Sequence, residues 1–266
     1  MANRLRAQIR TGELPQGAQL DSQHKMAERY GVARMTIQQA LRVLREEGLI
    51  VTRQGSGAFV KGHTERAVDL RPRIQEAFTA DEVTIDFCGF TAETLAGALT
   101  EPLDRIRSGA LHPRSLAVRI MLPDTAEPLA LPVLPGKSPA ESGAARERLA
   151  GIASRSVNAV VDMVDELAAL KLLKVAMVES RFIASAPQAK TFIINSQDVF
   201  QGYYPVKLRE VRLADGPTEI YDPMGKDATL FHFAKDSDPE SLGSLYVQST
   251  TAWFDSLWTT IARAEP

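Results

Sequence analysis

Ser22-Gln23-His24-Lys25-Met26-Ala27-Glu28-Arg29-Tyr30-Gly31-Val32-Ala33-Arg34-Met35-Thr36-Ile37-Gln38-Gln39-Ala40-Leu41-Arg42-Val43-Leu44 decides the fold of the amino-terminal part of the chain. Ser22 is a good helix N-cap, because its short side chain can accept from an otherwise orphaned backbone N–H. The helix it opens runs through Tyr30, and Gly31 ends it at the position where a left-handed residue is needed. Only Val32 and Ala33 separate it from a second helix over 34–47. Ile37, Leu41 and Leu44 form one apolar stripe on that helix, at spacings of four and three. Two short helices joined by a glycine-containing turn are a helix-turn-helix.

Working outward, residues 3–10 read as a short helix with Leu5 and Ile9 on one face, broken by Gly12, Pro15 and Gly17. Downstream, Gly48 stops the second helix of the pair. Residues 49–53 and 58–61 read as short strands around Gln54-Gly55-Ser56-Gly57, a tight hairpin. The whole predicts a winged helix-turn-helix over 1–62. A helix fits the major groove, where base edges are distinguishable. A glycine-rich hairpin tip can approach the backbone or the minor groove because glycine adds no bulk.

The charge follows the same division. Residues 1–62 hold ten basic and five acidic side chains, a net +5, and the rest of the chain carries −7, against −2 for all 266 residues. A basic head on an acidic body is expected when one module meets a polyanion and the other does not. The overall −2 argues against a uniformly basic coat for nucleic acid. With 44% hydrophobic and 24% charged residues the chain is a globular one of about two domains. One cysteine, Cys88, rules out an internal disulfide and a multi-cysteine metal cluster, in keeping with a cytoplasmic setting. No cofactor is expected. Residues 1–10 carry charge without an apolar stretch behind them, so no signal peptide is expected. The best membrane candidate, 157–178, is interrupted by Asp162, Asp165, Glu166, Lys171 and Lys174, so no span is expected.

Five blocks in order make the head resemble the DNA-binding domain of GntR-family transcription regulators: Gly12-Glu13-Leu14-Pro15-Gln16-Gly17, Met26-Ala27-Glu28-Arg29-Tyr30-Gly31-Val32, Thr36-Ile37-Gln38-Gln39-Ala40-Leu41, Glu47-Gly48-Leu49-Ile50 and Gly55-Ser56-Gly57-Ala58-Phe59-Val60. The resemblance covers about residues 3–61. It implies a homodimer, usually a repressor, bound to a short palindromic double-stranded operator. It places Arg34, Thr36, Gln38 and Gln39 toward DNA, with Arg53, Ser56 and Gly57 at the wing. Ala33 departs from the serine cap usual in the family, at a cost of about 1 kcal/mol. Gln38 departs from a common arginine; glutamine can read adenine with two hydrogen bonds, whereas arginine prefers guanine or phosphate. Arg34 also suits a plain surface charge and Thr36 a helix cap. Arg42 and Arg45 suit solvated or ion-paired positions better than base readers.

Residues 63–76 read as a polar linker running into a helix or extended chain, and 77–266 as an α/β effector-sensing and dimerisation domain with a mixed or mostly parallel sheet. Its opening is a βαβ unit: strand 83–87, helix 92–107, strand 115–122. A proline-rich excursion over 124–139 follows, then helices over 140–150 and 157–172. Strands are expected over 175–183, 190–195 and 206–213. The last element is a helix over 242–261 whose Trp253, Phe254, Leu257, Trp258 and Ile261 suit core or dimer contact better than a ligand cage. This domain is too short for an aminotransferase-like companion, too rich in strand pattern for an all-helical one, and opens unlike a chorismate-lyase-like one.

Gln188-Ala189-Lys190-Thr191-Phe192-Ile193-Ile194-Asn195, followed by Gly202, keeps the spacing of the phospholipase D superfamily signature His-x-Lys-x4-Asp-x6-Gly. The domain therefore resembles a degenerate phospholipase D-like fold. Gln188 stands in place of the histidine that attacks phosphorus in that superfamily, and a glutamine amide cannot form the covalent intermediate. Asn195 stands in place of the aspartate and removes its charge. Lys190 remains a cation able to pair with phosphate. The resemblance implies a catalytically inactive domain that binds a small effector, phosphorylated or anionic, at Gln188, Lys190 and Asn195. Two other readings stay open: a DNA-targeted phosphodiesterase using other residues, and a domain that only dimerises. Lys190 also suits an exposed lysine beside a strand, and Gln188, Asn195 and Gly202 suit turn or cap roles.

Overall fold

The Ser22 hydroxyl accepts from the Lys25 N–H at 3.3 Å and opens helix α2, Gln23–Tyr30. Gly31 closes it at φ +63, its N–H reaching the Glu28 carbonyl while the Val32 N–H reaches that of Ala27. The computed structural model describes residues 1–10, 13–14, 18–46, 49–53, 57–60 and 70–264. The chain divides into two compact units, Met1–Arg66 and Ala67–Pro266.

In the smaller unit, α1 (Ala2–Arg10), α2 and α3 (Arg34–Glu46) precede a hairpin of β1 (Ile50–Arg53) and β2 (Gly57–Val60). The hairpin is antiparallel with Ile50 opposite Val60 and Arg53 opposite Gly57. Residues 18–20 add a third short stretch to it, because Leu20 N–H donates to Ala58 and Val60 N–H to Ala18, both at 2.8 Å. The core is Leu5, Leu20, Met26, Ile37, Ala40, Leu41, Leu44, Ile50 and Val60. The expected stripe on α3 is the buried one: Ile37 and Leu44 are fully enclosed. This is the winged helix-turn-helix expected from the sequence, with elements within about a residue of the expected ends.

The larger unit is built on a six-stranded mixed sheet in the order β10-β7-β6-β3-β4-β5. Strands β3 (Glu82–Cys88), β4 (Ser115–Pro123) and β5 (Val175–Ile183) run parallel. Strands β6 (Ala189–Ile194), β7 (Asp198–Tyr203) and β10 (Phe231–Ala234) join antiparallel. Parallel neighbours need crossovers, supplied by α5 (Glu93–Arg107) and α6 (Gly143–Ala169). Alternation along the strands sends one set of side chains to each face. Val83, Ile85, Phe87, Leu116, Val118, Ile120, Phe192 and Phe200 pack with α5, α6 and the short helix α4 (Leu70–Ala77). Cys88, Met121, Ile193 and Val199 pack with the terminal helix α7 (Leu242–Thr260) through Val247, Phe254 and Trp258.

The structure departs from the expected elements in several places. Residues 70–77, of which 70–76 were expected in a linker running into a helix or extended chain, form the helix α4, whose Leu70 and Ile74 are buried in the larger unit. The two expected helices over 140–150 and 157–172 are one helix, α6, after a single 3-10 turn at Ala140–Ser142. Gly151 and Ser156 lower helix propensity, but Ser156 is a packing residue: its hydroxyl accepts from the Ala92 N–H at 3.2 Å, joining α6 to the start of α5. Strand 206–213 is present as β8 (Val206–Leu213), yet among the described residues it pairs only with β9 (Gly216–Pro223), in a separate hairpin against α6. Strands β7, β9 and β10 had no counterpart in the expectation. In the expected aromatic stripe, Phe254 and Trp258 are buried while Trp253 and Ile261 are exposed.

Candidate functional site

Burial of Ile37, Ala40, Leu41 and Leu44 leaves the other side of α3 to solvent. Arg34, Thr36, Gln38 and Gln39 are all exposed there. Arg34 Nε makes a long contact of 3.4 Å to Gln23 Oε1 on α2. Thr36 donates its backbone N–H to Ala33 O at 2.9 Å, so the first turn of α3 is closed by backbone where Ala33 has no side-chain oxygen to give. Met35, 72% exposed, shares this end of the helix. Sequence reading passed over it because a methionine in an apolar-periodic helix reads as core. Gly57 sits at φ +92 at the start of β2, a conformation that favours glycine. Arg53 ends β1 opposite Gly57. Ser56, and the Arg53 side chain, lie outside the described residues.

In the larger unit, Lys190 is 3% exposed. Its Nζ donates to Thr94 Oγ1 at 3.0 Å and to Gly225 O at 2.6 Å. It lies 5.9 Å from the centre of the Tyr204 ring. Burial pulls its pKa down to about 8, opposed by the carboxylate of Glu93. Gly202 pairs with Lys190 across β6 and β7. A Cβ at Gly202 would lie 2.5 Å from the Thr229 carbonyl, so that position admits no side chain.

Lys190 opens into a cavity of about 920 Å³. The first turn of α4 (Leu70, Arg71), the start of α5 (Glu93, Thr94), α6 (Arg148, Leu149, Ile152) and the β8–β9 hairpin (Arg209, Asp222) contribute its walls. Asp222 Oδ2 is shared between Arg148 Nη1 at 3.5 Å and Arg209 Nε at 3.3 Å. Burial pushes the Asp222 carboxyl above the ordinary range, against the pull of both arginines. Tyr204 accepts from the Phe90 N–H at 3.1 Å, and its ring meets that of Phe90 edge-on. Among the described residues five basic and two acidic side chains line the cavity, a balance that favours an anion.

The three residues expected around an effector are not brought together. Lys190 alone lines the cavity. Gln188, just before β6, accepts at its backbone carbonyl from the Tyr204 N–H at 3.2 Å. Asn195 stands at the far end of β6 with φ +50, and the next residue, Ser196, has φ +51. That pair makes the tight β6–β7 turn of a type that asparagine tolerates. Arg148, Arg209 and Asp222 carried no motif and escaped sequence reading.

The smaller unit is thus a winged helix-turn-helix and the larger an α/β domain with a charged cavity. Residues 1–60 match the family described as bacterial regulatory proteins, gntR family. The chain is similar to HTH-type transcriptional regulator Rv0792c of Mycobacterium tuberculosis, 34% identical over 35% of this chain and 32% of that protein. It is similar to the mannosyl-D-glycerate transport/metabolism system repressor MngR of Escherichia coli, 43% identical over 23% of this chain and 25% of the other. It is also similar to HTH-type transcriptional repressor NagR of Bacillus subtilis, 29% identical over 47% and 41% of the two chains. The chain therefore spans a quarter to two fifths of the length of these relatives. No helix among the described residues is long and apolar enough to cross a membrane.

Proposed function

We propose that this chain is a sequence-specific DNA-binding transcription regulator, a cytoplasmic homodimeric repressor on a palindromic operator, and not an enzyme. Its larger unit, phospholipase D-like without the attacking histidine, senses a small anionic effector in the cavity at Lys190. One observation carries the reading: α3 buries Ile37 and Leu44 completely while presenting Arg34, Thr36, Gln38 and Gln39 on its open side. The match of residues 1–60 to a family of regulatory proteins supports it. In the major groove Gln38 would read adenine, Arg34 would meet phosphate or guanine, and Met35 would offer apolar contact to a thymine methyl. Arg53, Ser56 and Gly57 would follow the backbone from the wing.

The cavity supplies the control. An effector changes DNA affinity only by binding the competent arrangement of the two heads better or worse than the other. A coupling of about 1–3 kcal/mol gives a 5–150-fold change. Leu70 and Arg71 put the first turn of α4 in the cavity wall, and α4 follows directly on residues 61–69, which join it to the wing. A ligand there touches the first helix of the larger unit.

Fluorescence anisotropy with DNA flanking the protein's own gene tests the reading. The protein binds it at modest salt in preference to scrambled DNA of equal length, and Arg34→Ala weakens this by more than about 1 kcal/mol. Equal binding to both DNAs overturns the proposal.

A further inference from the structure

Arg148 comes from a long helix and Arg209 from the β8–β9 hairpin, which among the described residues joins no strand of the six-stranded sheet. Both turn to a single oxygen of Asp222, at 3.5 and 3.3 Å. Charge-assisted bonds close to about 2.7–2.9 Å when geometry allows, so neither guanidinium is held tightly. Two positive charges share one negative one. Arg148 and Arg209 keep 23% and 39% of their side-chain surface, while Asp222 keeps 10%. Lys190, on the same cavity, spends two of its three donors on Thr94 and Gly225.

We propose that Arg148 and Arg209 form the clamp for the phosphate group of an organic phosphomonoester, with Asp222 as a built-in placeholder that the phosphate displaces. The proposal rests on the reading of the cavity as an effector site and names the ligand class and its seat. A carboxylate ligand would bring the same charge and the same two oxygens as Asp222, and would gain nothing by the exchange. A phosphomonoester brings up to two charges and three oxygens, which suits two guanidinium forks and a nearby ammonium. Its organic part would lie on Leu149 and Ile152, which line the same cavity from α6, Ile152 four residues after Arg148 and so beside it on the helix. Because the clamp arginines belong to different elements, a phosphate between them ties the β8–β9 hairpin to α6. Burial already pushes the Asp222 carboxyl up against the pull of the two arginines, so it takes up a proton more readily once they turn to a phosphate.

Isothermal titration of the full-length protein at neutral pH and low salt decides the matter, with hexyl phosphate, inorganic phosphate and hexanoate as probes. Hexyl phosphate is expected to bind at least about tenfold more tightly than hexanoate. Arg148→Gln and Arg209→Gln are each expected to weaken hexyl phosphate by about tenfold or more, the loss of one charged hydrogen-bonding partner. Arg209→Lys, which keeps the charge and the hairpin, falls between. Asp222→Asn is expected to strengthen binding, because it removes the competing charge. Phosphate binding that survives both glutamine variants and is lost in Lys190→Met overturns the clamp and leaves the effector cavity standing. Weaker binding in Asp222→Asn overturns the placeholder role. Absence of binding by all three probes to the unaltered protein overturns both the clamp and an anion-binding cavity.

Discussion

Asn195 and Thr84 hold one another at both ends. The Asn195 backbone N–H donates to Thr84 O at 2.8 Å, and the Thr84 N–H donates to Asn195 Oδ1 at 2.8 Å. The remaining amide of Asn195 donates from Nδ2 to Ala77 O at 3.2 Å, at the last residue of α4. One side chain in a left-handed turn therefore fastens α4 onto the central strand β3.

Asn195→Ala removes both side-chain bonds and forces a Cβ-bearing residue without a local hydrogen bond into φ +50. The expected loss is about 2 kcal/mol, or about 4–8 °C in the melting temperature of a unit this size. Asn195→Gly keeps the turn at ease and loses only the bonds, so it should fall by about half as much. Differential scanning calorimetry of the two variants checks the order. If glycine proves as costly as alanine, backbone conformation contributes nothing at this turn.

Lys190 gives a pH signature. Its folded pKa of about 8 lies below the value of about 10.4 for an unfolded lysine. Between those values the unfolded chain holds the proton that the folded one has lost, so stability rises with pH across that window. Below pH 8 the cost of burying the charge is present in full. The melting temperature of the unaltered protein should therefore gain on that of Lys190→Met as pH goes from 7.5 to 10. Anion binding at the cavity should weaken over the same rise, because the cation discharges. A constant offset between the two proteins at all pH values contradicts a buried, discharging Lys190.

The head was legible almost residue by residue, because Ser22, Gly31 and the Ile37, Leu41, Leu44 stripe are local signals read over one or two turns. The βαβ opening was legible for the same reason, from alternation in β3 and β4 around an amphipathic α5. The split of α6 at 151–156 shows where local propensity misleads: Ser156 is small because α5 approaches it, a fact held by Ala92, 64 residues away. The spacing around Lys190 led to the cavity, but it carried Asn195 with it, and a β-turn took that residue to the opposite end of the strand. Arg148 and Asp222 are 74 residues apart on a helix and a hairpin, and no spacing rule links such positions.

Gln38 offers a test of base reading that does not depend on stability, since it is exposed on α3. Gln38→Arg should shift preference at one operator position from adenine toward guanine, because arginine pairs with O6 and N7 of guanine where glutamine pairs with N6 and N7 of adenine. The swing should be about 1–3 kcal/mol at that position, confined to it and to its symmetry mate in a palindrome. Selection from a randomised-site library reads it. An unchanged preference removes Gln38 from the base contacts.

Arg119 on β4 lies opposite Asp86 on β3 and grips it with two bonds, Nε to Oδ1 at 2.6 Å and Nη2 to Oδ2 at 2.7 Å. Asp255 of α7 completes the group at 2.8 Å, and the guanidinium lies over the rings of Phe254 and Trp258. Arg119 thus ties the terminal helix to the sheet, alongside Arg181 of β5, whose Nη1 donates to Trp258 O at 2.6 Å. Burial already raises the pKa of Asp86, with Arg119 pulling the other way. Arg119→Met removes that pull and leaves a buried carboxylate unpaired, a loss of about 3–5 kcal/mol. A carboxyl whose folded pKa exceeds its unfolded one loses stability as pH rises through the folded value. The deficit of Arg119→Met should therefore be larger at pH 7.5 than at pH 4.5, and adding Asp86→Asn should recover much of it at the higher pH. Urea unfolding at the two pH values measures this. An equal deficit at both would mean that Arg119 acts through its packing on Phe254 and Trp258 and not through its charge.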